Sequence, residues 1–277
     1  MAPRPQHPIA GMMKRMTDPA DYLQAYDDQL RTDAETPGAV SVERLGPLRL
    51  VTFAGGRGFV TYRDLALPAG TSIGELVASA LSRFVADPQI DRAEWKTRGH
   101  DRAAGLHEAL LANGFVAAET ESIMIGPLEA LATGVPTPTG VTLRRVSSEP
   151  DVRAMSAMVD EAFGESADTR TADSLVARLA RRDSMELWVA ETDGRMVSGG
   201  RLEPVPGTDF VGIWGGATLE AYRGRGIYRA LTAARAASAL RMGKEFVHSD
   251  STEDSRPILE RSGLVRVSTT TPYDWTR

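Results

Sequence analysis

ATLEAYRGRGIYRAL, residues 217–231, is the segment that most constrains how this chain folds. The surrounding pattern predicts a strand over 210–218 and a long Ala-rich helix over 228–242. Arg-Gly-Arg-Gly at 223–226 lies in the loop between them. Backbone N–H groups in such a loop can converge on an anion, and the following helix contributes its positive N-terminal end. The segment therefore predicts a diphosphate-binding loop.

Two other phosphate-binding motifs do not fit this loop. The loop has no Gly-Lys-Ser/Thr sequence, which argues against a P-loop. It also has no Gly-x-Gly-x-x-Gly followed about 20 residues later by an acidic residue, which argues against a dinucleotide site. On glycine spacing alone, a simple turn between a strand and a helix is the alternative.

The loop and its surroundings resemble the signature of the GNAT acyltransferase superfamily, Arg/Gln-x-x-Gly-x-Gly/Ala between a strand and a helix. Residues 223–227, RGRGI, fit it, as do Tyr222 before them and Ala230-Leu231 after them. Tyr228 departs from it, because the family has a small residue there. A larger side chain would either crowd the cofactor's phosphates or lie outside. The resemblance covers residues 143 to about 275.

The order of predicted elements in the second half matches this family throughout. Strands are predicted at 143–146, 186–191, 196–203, 210–218, 245–249, 264–267 and 271–275, and helices at 151–163, 173–180, 228–242 and 255–261. Asp193-Gly194 is a two-residue turn signal for a hairpin. The resemblance implies an α/β fold (a mixed α+β sheet) of two GNAT-like domains, each a twisted, mostly antiparallel sheet flanked by helices.

The first half is predicted to be a degenerate copy of the second. Its predicted strands are 58–64, 93–97 and 116–125, and its predicted helices are 72–84 and 101–112. LLANGF at 110–115 mirrors LERSGL at 259–264, but LALPAGT at 65–71 has neither arginine nor paired glycines. We predict a tail at 1–18, a degenerate domain at 19–126, a Pro- and Gly-rich linker at 127–142 and a catalytic domain at 143–277.

The resemblance implies that the second half binds acetyl-CoA. Its diphosphate would lie on the backbone of 223–228, and its pantetheine arm would run beside the strand that ends near Thr218. The Thr218 N–H, or one beside it, would polarise the thioester carbonyl, a contribution of about 3 kcal/mol. The implied cofactor-binding residues are Ala217, Thr218, Leu219, Arg223, Gly224, Arg225, Gly226, Ile227, Tyr228 and Ser255. Side chains of Arg223 and Arg225 add contacts if they turn inward.

The catalytic acid and base remain open at the level of sequence. Many family members have a tyrosine that protonates the leaving thiolate, and Leu259 stands at that position. Either the thiolate leaves unassisted, since its pKa is about 8.5, or Tyr228 or Tyr273 serves as donor. Thr218 is the predicted oxyanion donor. The candidate bases are Asp250 and Glu203, then His248, and each also has an ordinary structural interpretation.

An N-acetyltransferase for a small cationic amine is the leading functional hypothesis. An aminoglycoside-type antibiotic, such as a kasugamycin-like one, is the best single candidate, which would make the protein a resistance enzyme. Glu165 and Asp168, in a polar loop, are predicted to hold this substrate. The polar cluster at 94–101 is structural, or it shapes the acceptor pocket or the interface between the halves. The alternatives are a protein or peptide acetyltransferase and a non-catalytic acyl-CoA sensor.

Composition limits the remaining partners. The 277 residues include 32 Lys and Arg against 37 Asp and Glu, so the formal charge is −5. This balance argues against nucleic acid and slightly favours a cationic acceptor. Cysteine is absent from the sequence, so transfer is predicted to be direct, without an acyl-cysteine and without a metal. No membrane segment is predicted, and the predicted location is cytoplasmic. The sequence leaves the oligomeric state open, with a monomer and a homodimer as the alternatives.

Overall fold

A mixed sheet of twelve strands runs through both halves of the chain in the computed structural model. The structure describes residues 18–67, 70–166, 169–181 and 184–277. The strands are β1 (Ser41–Leu45), β2 (Leu48–Phe53), β3 (Arg57–Thr61), β4 (Arg92–Arg98), β5 (Val116–Ala117), β6 (Glu121–Pro127), β7 (Thr142–Val146), β8 (Glu186–Thr192), β9 (Arg195–Pro204), β10 (Phe210–Thr218), β11 (Phe246–Ser251) and β12 (Val265–Thr276).

Eight α-helices among the described residues flank this sheet. They are α1 (Pro19–Gln29), α2 (Ile73–Ala86), α3 (Leu106–Ala112), α4 (Leu128–Ala132), α5 (Glu149–Phe163), α6 (Thr169–Ala180), α7 (Ile227–Arg241) and α8 (Arg256–Arg261). Short 3₁₀ turns lie at Asp33–Glu35 and Glu220–Tyr222. Within the part of the chain that is described, no helix has the length and apolar character needed to cross a membrane.

The strand order is β1-β2-β3-β4-β12-β6-β11-β10-β9-β8-β7, and β5 pairs with β12. Two neighbouring pairs are parallel, β3 with β4 and β10 with β11, and the others are antiparallel. Each parallel pair is joined by a helix, α2 or α7, as a parallel connection requires. The predicted mixed α/β fold is confirmed, with the strands of both halves joined in one continuous sheet.

The two halves of the sequence exchange their last strands. β6 belongs to the first half, but it lies between β11 and β12, with Ile125 opposite His248. The end of β12 in turn pairs with β4 and β5 of the first half, with Tyr273 opposite Trp95. A division at 126/127 therefore separates two stretches of sequence, whereas strands of different halves are neighbours at three places in the sheet: β4 with β12, β12 with β6 and β6 with β11.

Several elements differ from the sequence prediction. The predicted strands 264–267 and 271–275 form the single strand β12, because the β-branched run Thr269–Thr271 continues it past a bulge at 266–268. The predicted strand 116–125 is divided into β5 and β6. The predicted linker contains α4, whose Leu128 and Leu131 are buried. Helix α1 and the hairpin β1–β2 had no predicted counterpart.

Helix α7 lies close to the sheet because its inner face is made of small side chains. Ala230, Ala233, Ala236 and Ala239 are all buried. They pack beside a core of β10, β11 and α8 residues that includes Val211, Val247 and Leu259. The first half has its own core around Trp95, Phe115 and Tyr273. This packing fixes the start of α7 at the point where β10 ends.

Candidate active site

The two parallel strands of the second half separate after a short pairing. β10 and β11 pair only from Phe210↔Phe246 to Gly212↔His248. Farther along, two residues of β10, Gly215 and Gly216, oppose one residue of β9, which makes a bulge. A bulge bends its strand and interrupts the ladder. An opening thus forms between β10 and β11, lined by backbone groups.

Thr218 presents its backbone to this opening. The Leu219 N–H donates to the Val197 carbonyl of β9, 3.0 Å away. Successive N–H groups of a strand point to opposite sides, so the Thr218 N–H points away from β9 and toward the opening. The Thr218 hydroxyl is hydrogen-bonded with Ser198 Oγ at 2.8 Å. The N–H, not the side chain, is the group that a ligand in the opening can reach.

The loop after β10 leaves a run of N–H donors without partners. Gly224 and Gly226 have φ values of 73° and 78°, and a Cβ at Gly224 would point into open space. Among the described residues, no backbone acceptor is recorded for the N–H groups of 224–229. Helix α7 has 15 residues and no side-chain cap. Its N-terminus therefore offers several donors and a positive end to an anion.

The arginines of this loop contact protein instead of turning into the cleft. The Arg223 Nε donates to the Thr218 carbonyl, and its Nη2 donates to the Ala162 carbonyl, both at 3.0 Å. The Arg225 guanidinium stacks on the Tyr222 ring at 5.1 Å. Arg223 thus ties the loop to the end of β10 and to α5. The backbone, more than these side chains, forms the anion site.

Tyr228 lies inside the cleft, which explains how it replaces the small residue of the GNAT signature. Its ring covers Gly216, where a Cβ would come within 2.9 Å of Cε2. Its hydroxyl interacts with Arg235. Because the Tyr228 side chain packs against Gly216, it does not cover the N-terminus of α7.

Arg235 is a buried cation that sequence reasoning missed. Its side chain is fully buried in α7, and its Nη1 and Nη2 donate to the Arg201 carbonyl at 3.1 Å and to Thr232 Oγ1 at 3.0 Å. Burial lowers its pKa, and Tyr228 opposes that shift. The sequence signal that could have indicated this residue is an arginine within the Ala-rich stretch of α7. The Arg235 guanidinium contacts the Tyr228 hydroxyl and helps to position it.

Asp250, a predicted base, forms a buried ion pair with Lys96 of β4. Burial disfavours the charged carboxylate, but the Lys96 charge and hydrogen bond outweigh it and leave the pKa of Asp250 lowered. Burial likewise disfavours the Lys96 ammonium, and Asp250 reverses this and raises its pKa. Asp250 is therefore a weak base. The predicted polar cluster of the first half supplies the lysine that holds it.

His248 is buried and uncharged at neutral pH. Burial lowers its pKa to about 4. Its ring lies edge-on to Trp214 at 5.1 Å, and no partner for its Nδ1 is found in the described part of the chain. Its placement beside Trp214 puts it on the sheet face opposite α7. It is a poorer proton acceptor than a free imidazole.

Glu203 is engaged by two arginines. Its Oε2 accepts from Arg178 Nη2 at 3.0 Å, and its Oε1 lies 3.3 Å from Arg201 Nε. Both carboxylate oxygens of Glu203 are therefore occupied by contacts with cations. The contacts favour an orienting role for this predicted base.

Glu121 is a site residue that sequence reasoning missed. It lies on the exchanged strand β6 and lines the same cleft as Asp250. Burial, followed by the Asp250 charge, raises its pKa. A carboxyl group with raised pKa is the usual form of a general base near neutral pH. Its position depends on the strand exchange, so no local pattern in the sequence could reveal it.

Two cavities meet at Trp214, which lines both. The first, called here the donor cleft, has a volume of about 1910 Å³ and contains the α7 loop, the β10–β11 opening, Glu121 and Asp250. The second, called here the acceptor pocket, has a volume of about 920 Å³ and lies between the halves on the other side of Trp214. Its described lining includes three carboxylates and seven cations: Arg57, Arg92, Lys96, Arg170, Arg178, Arg181 and Arg201.

A comparison with protein families identifies the second half. Residues 152–263 match the family described as Acetyltransferase (GNAT). This segment of the chain is similar to GNAT domains. The matched segment includes the β10–β11 opening, the 223–226 loop and all of α7. A search of curated proteins found none similar to this chain.

Solved structures share the fold over nearly the whole chain. A GCN5-related N-acetyltransferase from Kribbella flavida is 17% identical, with a TM-score of 0.62, and the alignment covers 94% of this chain and 96% of that one. A tandem GNAT protein from the clavulanic acid biosynthesis pathway is 15% identical, with a TM-score of 0.59 and coverages of 95% and 97%. A GCN5-related N-acetyltransferase from Sphaerobacter thermophilus is 19% identical, with a TM-score of 0.58 and coverages of 95% and 94%.

The remaining predicted site residues lie in different parts of the structure. Ser255 lines the donor cleft, and its hydroxyl donates to the Thr252 carbonyl at 3.3 Å. Tyr273 is hydrogen-bonded to His107 Nδ1 at 2.7 Å in the core of the first half, so the two alternatives for a tyrosine donor reduce to Tyr228. Glu165 is exposed and lines neither cavity. Asp168 lies outside the described residues.

Metal ligands do not cluster in the described ranges. No group of three or more His, Asp or Glu side chains there is arranged to hold a metal ion.

Proposed function

We propose that this protein is an acetyl-CoA-dependent N-acetyltransferase that moves an acetyl group directly to the primary amine of a small molecule. The observation that carries the proposal is the run of unpaired N–H groups at 224–229, placed where β10 separates from β11. A diphosphate needs such donors, and an extended amide-containing arm needs an exposed strand edge. Both features occur in one cleft.

The residues of the donor cleft fit acetyl-CoA. The left-handed glycines at 224 and 226 keep side chains out of the space above the α7 N-terminus. The backbone at 217–219 presents a free edge toward β11 that an extended arm can follow. Acetyl-CoA, when bound, supplies an activated acetyl group and a thiolate leaving group. The remaining chemistry belongs to side chains and backbone of the protein.

Three groups of the protein are assigned roles in the transfer. The Thr218 N–H donates to the carbonyl oxygen of the acetyl group, worth about 3 kcal/mol of the barrier. The Tyr228 hydroxyl supplies a proton to the leaving sulfur, with Arg235 beneath it. Glu121 accepts the proton of the attacking amine, directly or through water, because its pKa is raised. The Lys96–Asp250 ion pair lies between the two cavities, because Lys96 lines the acceptor pocket and Asp250 lines the donor cleft.

The acceptor is proposed to be a small molecule because the acceptor pocket is bounded by both halves. Helix α1, strand β4 and helix α6 all contribute to its wall. A protein or peptide acceptor needs an open groove. The aminoglycoside-type acceptor and a role in antibiotic resistance remain predictions from net charge, and the positive lining of this pocket does not add support to them. The cytoplasmic location and the oligomeric state also remain predictions.

One experiment tests the proposed function against the sensor alternative. Acetyl-CoA is titrated into the purified protein by calorimetry, and thiol release is then followed with a broad panel of amines. Binding together with thiol release and a mass gain of one acetyl group on one amine supports the proposal. Binding without thiol release from any amine supports a sensor. Absence of binding contradicts the assignment of the donor cleft.

A further inference from the structure

The acceptor pocket contains a cluster of arginines from three separate elements. Arg57 comes from β3, Arg178 from α6 and Arg201 from β9. Arg178 and Arg57 both act electrostatically on Arg201, and burial and their repulsion lower its pKa. Glu203 is the carboxylate between Arg178 and Arg201. Like charges held close in a partly desolvated pocket repel each other, so an added anion is stabilised there.

Arg201 is oriented with its binding face free. Glu203 lies 3.3 Å from Nε, the inner nitrogen of the guanidinium. The two terminal nitrogens, Nη1 and Nη2, make no hydrogen bond or ion pair with any residue that the structure describes, and 29% of the side chain remains exposed. The Glu203 contact is an ion pair without hydrogen-bond geometry at Nε. The terminal end of the guanidinium presents two parallel N–H groups, which match the two oxygens of a carboxylate.

Arg201 also lies beside the place where the acetyl group would be delivered. It is directly opposite Trp214, the residue that lines both cavities. A Cβ built on Gly215, in the β10 bulge, would lie 4.0 Å from its Nε and Cζ. An acid group bound by Arg201 is therefore within a few bonds of an amine at the β10 opening.

The carboxylates of the pocket do not offset these cations for an incoming ligand. Glu35 is buried against Arg49 and Arg98, and Asp173 is paired with Arg153. Glu203 is already shared by two arginines. Arg57, Arg92 and Lys96 are likewise paired, with Glu94, Asp91 and Asp250. The positive charge that a ligand can reach therefore centres on Arg201, which attracts an anionic group and repels a polycation. This local charge is opposite to the formal charge of −5 of the whole chain.

We propose that the acceptor is an amine that carries a carboxylate close to the reacting nitrogen, as an amino acid does, and that Arg201 binds this carboxylate. The inference rests on the proposed function, because it names the acceptor class of the same transfer. Arg178 and Arg57 act on Arg201 through their charge, and Glu203 is a positioning residue whose carboxylate lies against the Nε side of Arg201. The recognition is non-covalent and adds no chemical step.

Matched pairs of amines test the acceptor class. Each carboxylated amine is compared with the amine that lacks its carboxylate: L-ornithine with putrescine, L-phenylalanine with phenethylamine and β-alanine with ethylamine, with kanamycin as a polycationic member. We expect kcat/KM to be roughly 30- to 100-fold higher for the carboxylated member of the preferred pair. Equal or better use of the carboxylate-free amines or of kanamycin overturns the inference. So does failure of every carboxylated amine to bind or react.

Substitution of Arg201 tests the residue. Arg201→Gln is expected to raise KM for the preferred carboxylated amine roughly 30- to 100-fold and to leave the carboxylate-free partner unchanged. Arg201→Lys should recover only part of this loss, because an ammonium lacks the two-pronged geometry. Arg241→Gln, at an exposed arginine that lines neither cavity, is the matched control and should change KM by less than about threefold.

Calorimetry with acetyl-CoA on the same samples separates the two proposals. If acetyl-CoA binds normally and Arg201→Gln affects both members of each pair equally, only the assignment of Arg201 and the acceptor class fails. If acetyl-CoA does not bind to the unmodified protein, the proposed function fails and this inference fails with it.

Discussion

Helices α2 and α7 occupy equivalent places in the two halves, but their N-termini differ. Each connects the two strands of a parallel pair. At the start of α2, Ser72 Oγ accepts from the Glu75 N–H at 3.2 Å, and Glu75 Oε2 accepts from the Ser72 N–H at 3.0 Å. At the start of α7, Gly226 provides no such cap. The first helix satisfies its N-terminus with its own carboxylate, whereas the second leaves it for a ligand.

The spaces between the parallel strands differ in the same way. In the first half the last paired residue of β4 is Trp95, which is fully buried, and Arg98 bridges to Thr61 at 3.0 Å. In the second half the last paired residue of β11 is His248, and the strands then open. The first half therefore uses its buried groups for packing. It also supplies Lys96 and, through the strand exchange, Glu121 to the site in the second half.

Placing a carboxylate at the α7 N-terminus should remove the main difference between the two helices. In Gly226→Asp, a negative charge about 4 Å from a bound diphosphate costs about 4 kcal/mol, or roughly 1000-fold in the Kd for acetyl-CoA. Calorimetry measures the Kd. Gly70→Asp is the matched control, because Gly70 precedes α2, has a φ of 86° and also has open space around it. An unchanged Kd in Gly226→Asp would show that the diphosphate binds elsewhere.

His248 is the last paired residue of β11, as Trp95 is of β4, but only the histidine can be protonated. The free energy of unfolding is therefore expected to depend on pH. The unfolded chain protonates His248 below about pH 6.5, but the folded chain does so only below about pH 4. Its contribution is therefore complete above pH 6.5 and is lost as the pH falls to 4, by about 3 kcal/mol. Urea unfolding at pH 7 and pH 4.5 should show a smaller decrease in His248→Phe than in the unmodified protein. Equal decreases would contradict the assignment.

The sequence predicted local elements better than it predicted the site. Strand β10 and the hairpin around Asp193 follow from short-range patterns and turn chemistry. Glu121 and Lys96 reach the site only because β6 and β4 join the far half of the sheet. Pairing between strands that are far apart in the sequence produces no local pattern of residues. The position of Glu121 and Lys96 in the site could therefore not be predicted from one sequence.

The ion pairs of the predicted bases were hidden for the same reason. Asp250 and Glu203 are at strand ends, where a free carboxylate was a reasonable expectation. Their partners, Lys96 and Arg178, come from other elements, and the Lys96 charge lowers the pKa of Asp250. The net charge of the chain likewise did not reveal the positive acceptor pocket, because charge balance over 277 residues carries no information on one cavity.

Tyr228 is another point at which the helices differ, because the second residue of α7 is Tyr228 and that of α2 is Gly74. Tyr228→Phe keeps the ring over Gly216 but removes the proton donor. We expect kcat to fall about 10- to 100-fold, the low end for a general acid, because a thiolate is a tolerable leaving group. The Kd for acetyl-CoA should be unchanged. Tyr222→Phe is the matched control, and an equal kcat loss in it would exclude a specific role for Tyr228.

The smallest effect is expected at the capped helix. Ser72→Ala removes the side chain that accepts from the Glu75 N–H, which should lower the free energy of unfolding by about 1 kcal/mol in urea titrations. The Kd for acetyl-CoA should stay the same, because α2 serves only the packing of the first half. A change in that Kd would mean that the α2 N-terminus contributes to the donor cleft. The two helices would then be functionally coupled, and the division between a binding half and a supporting half would be wrong.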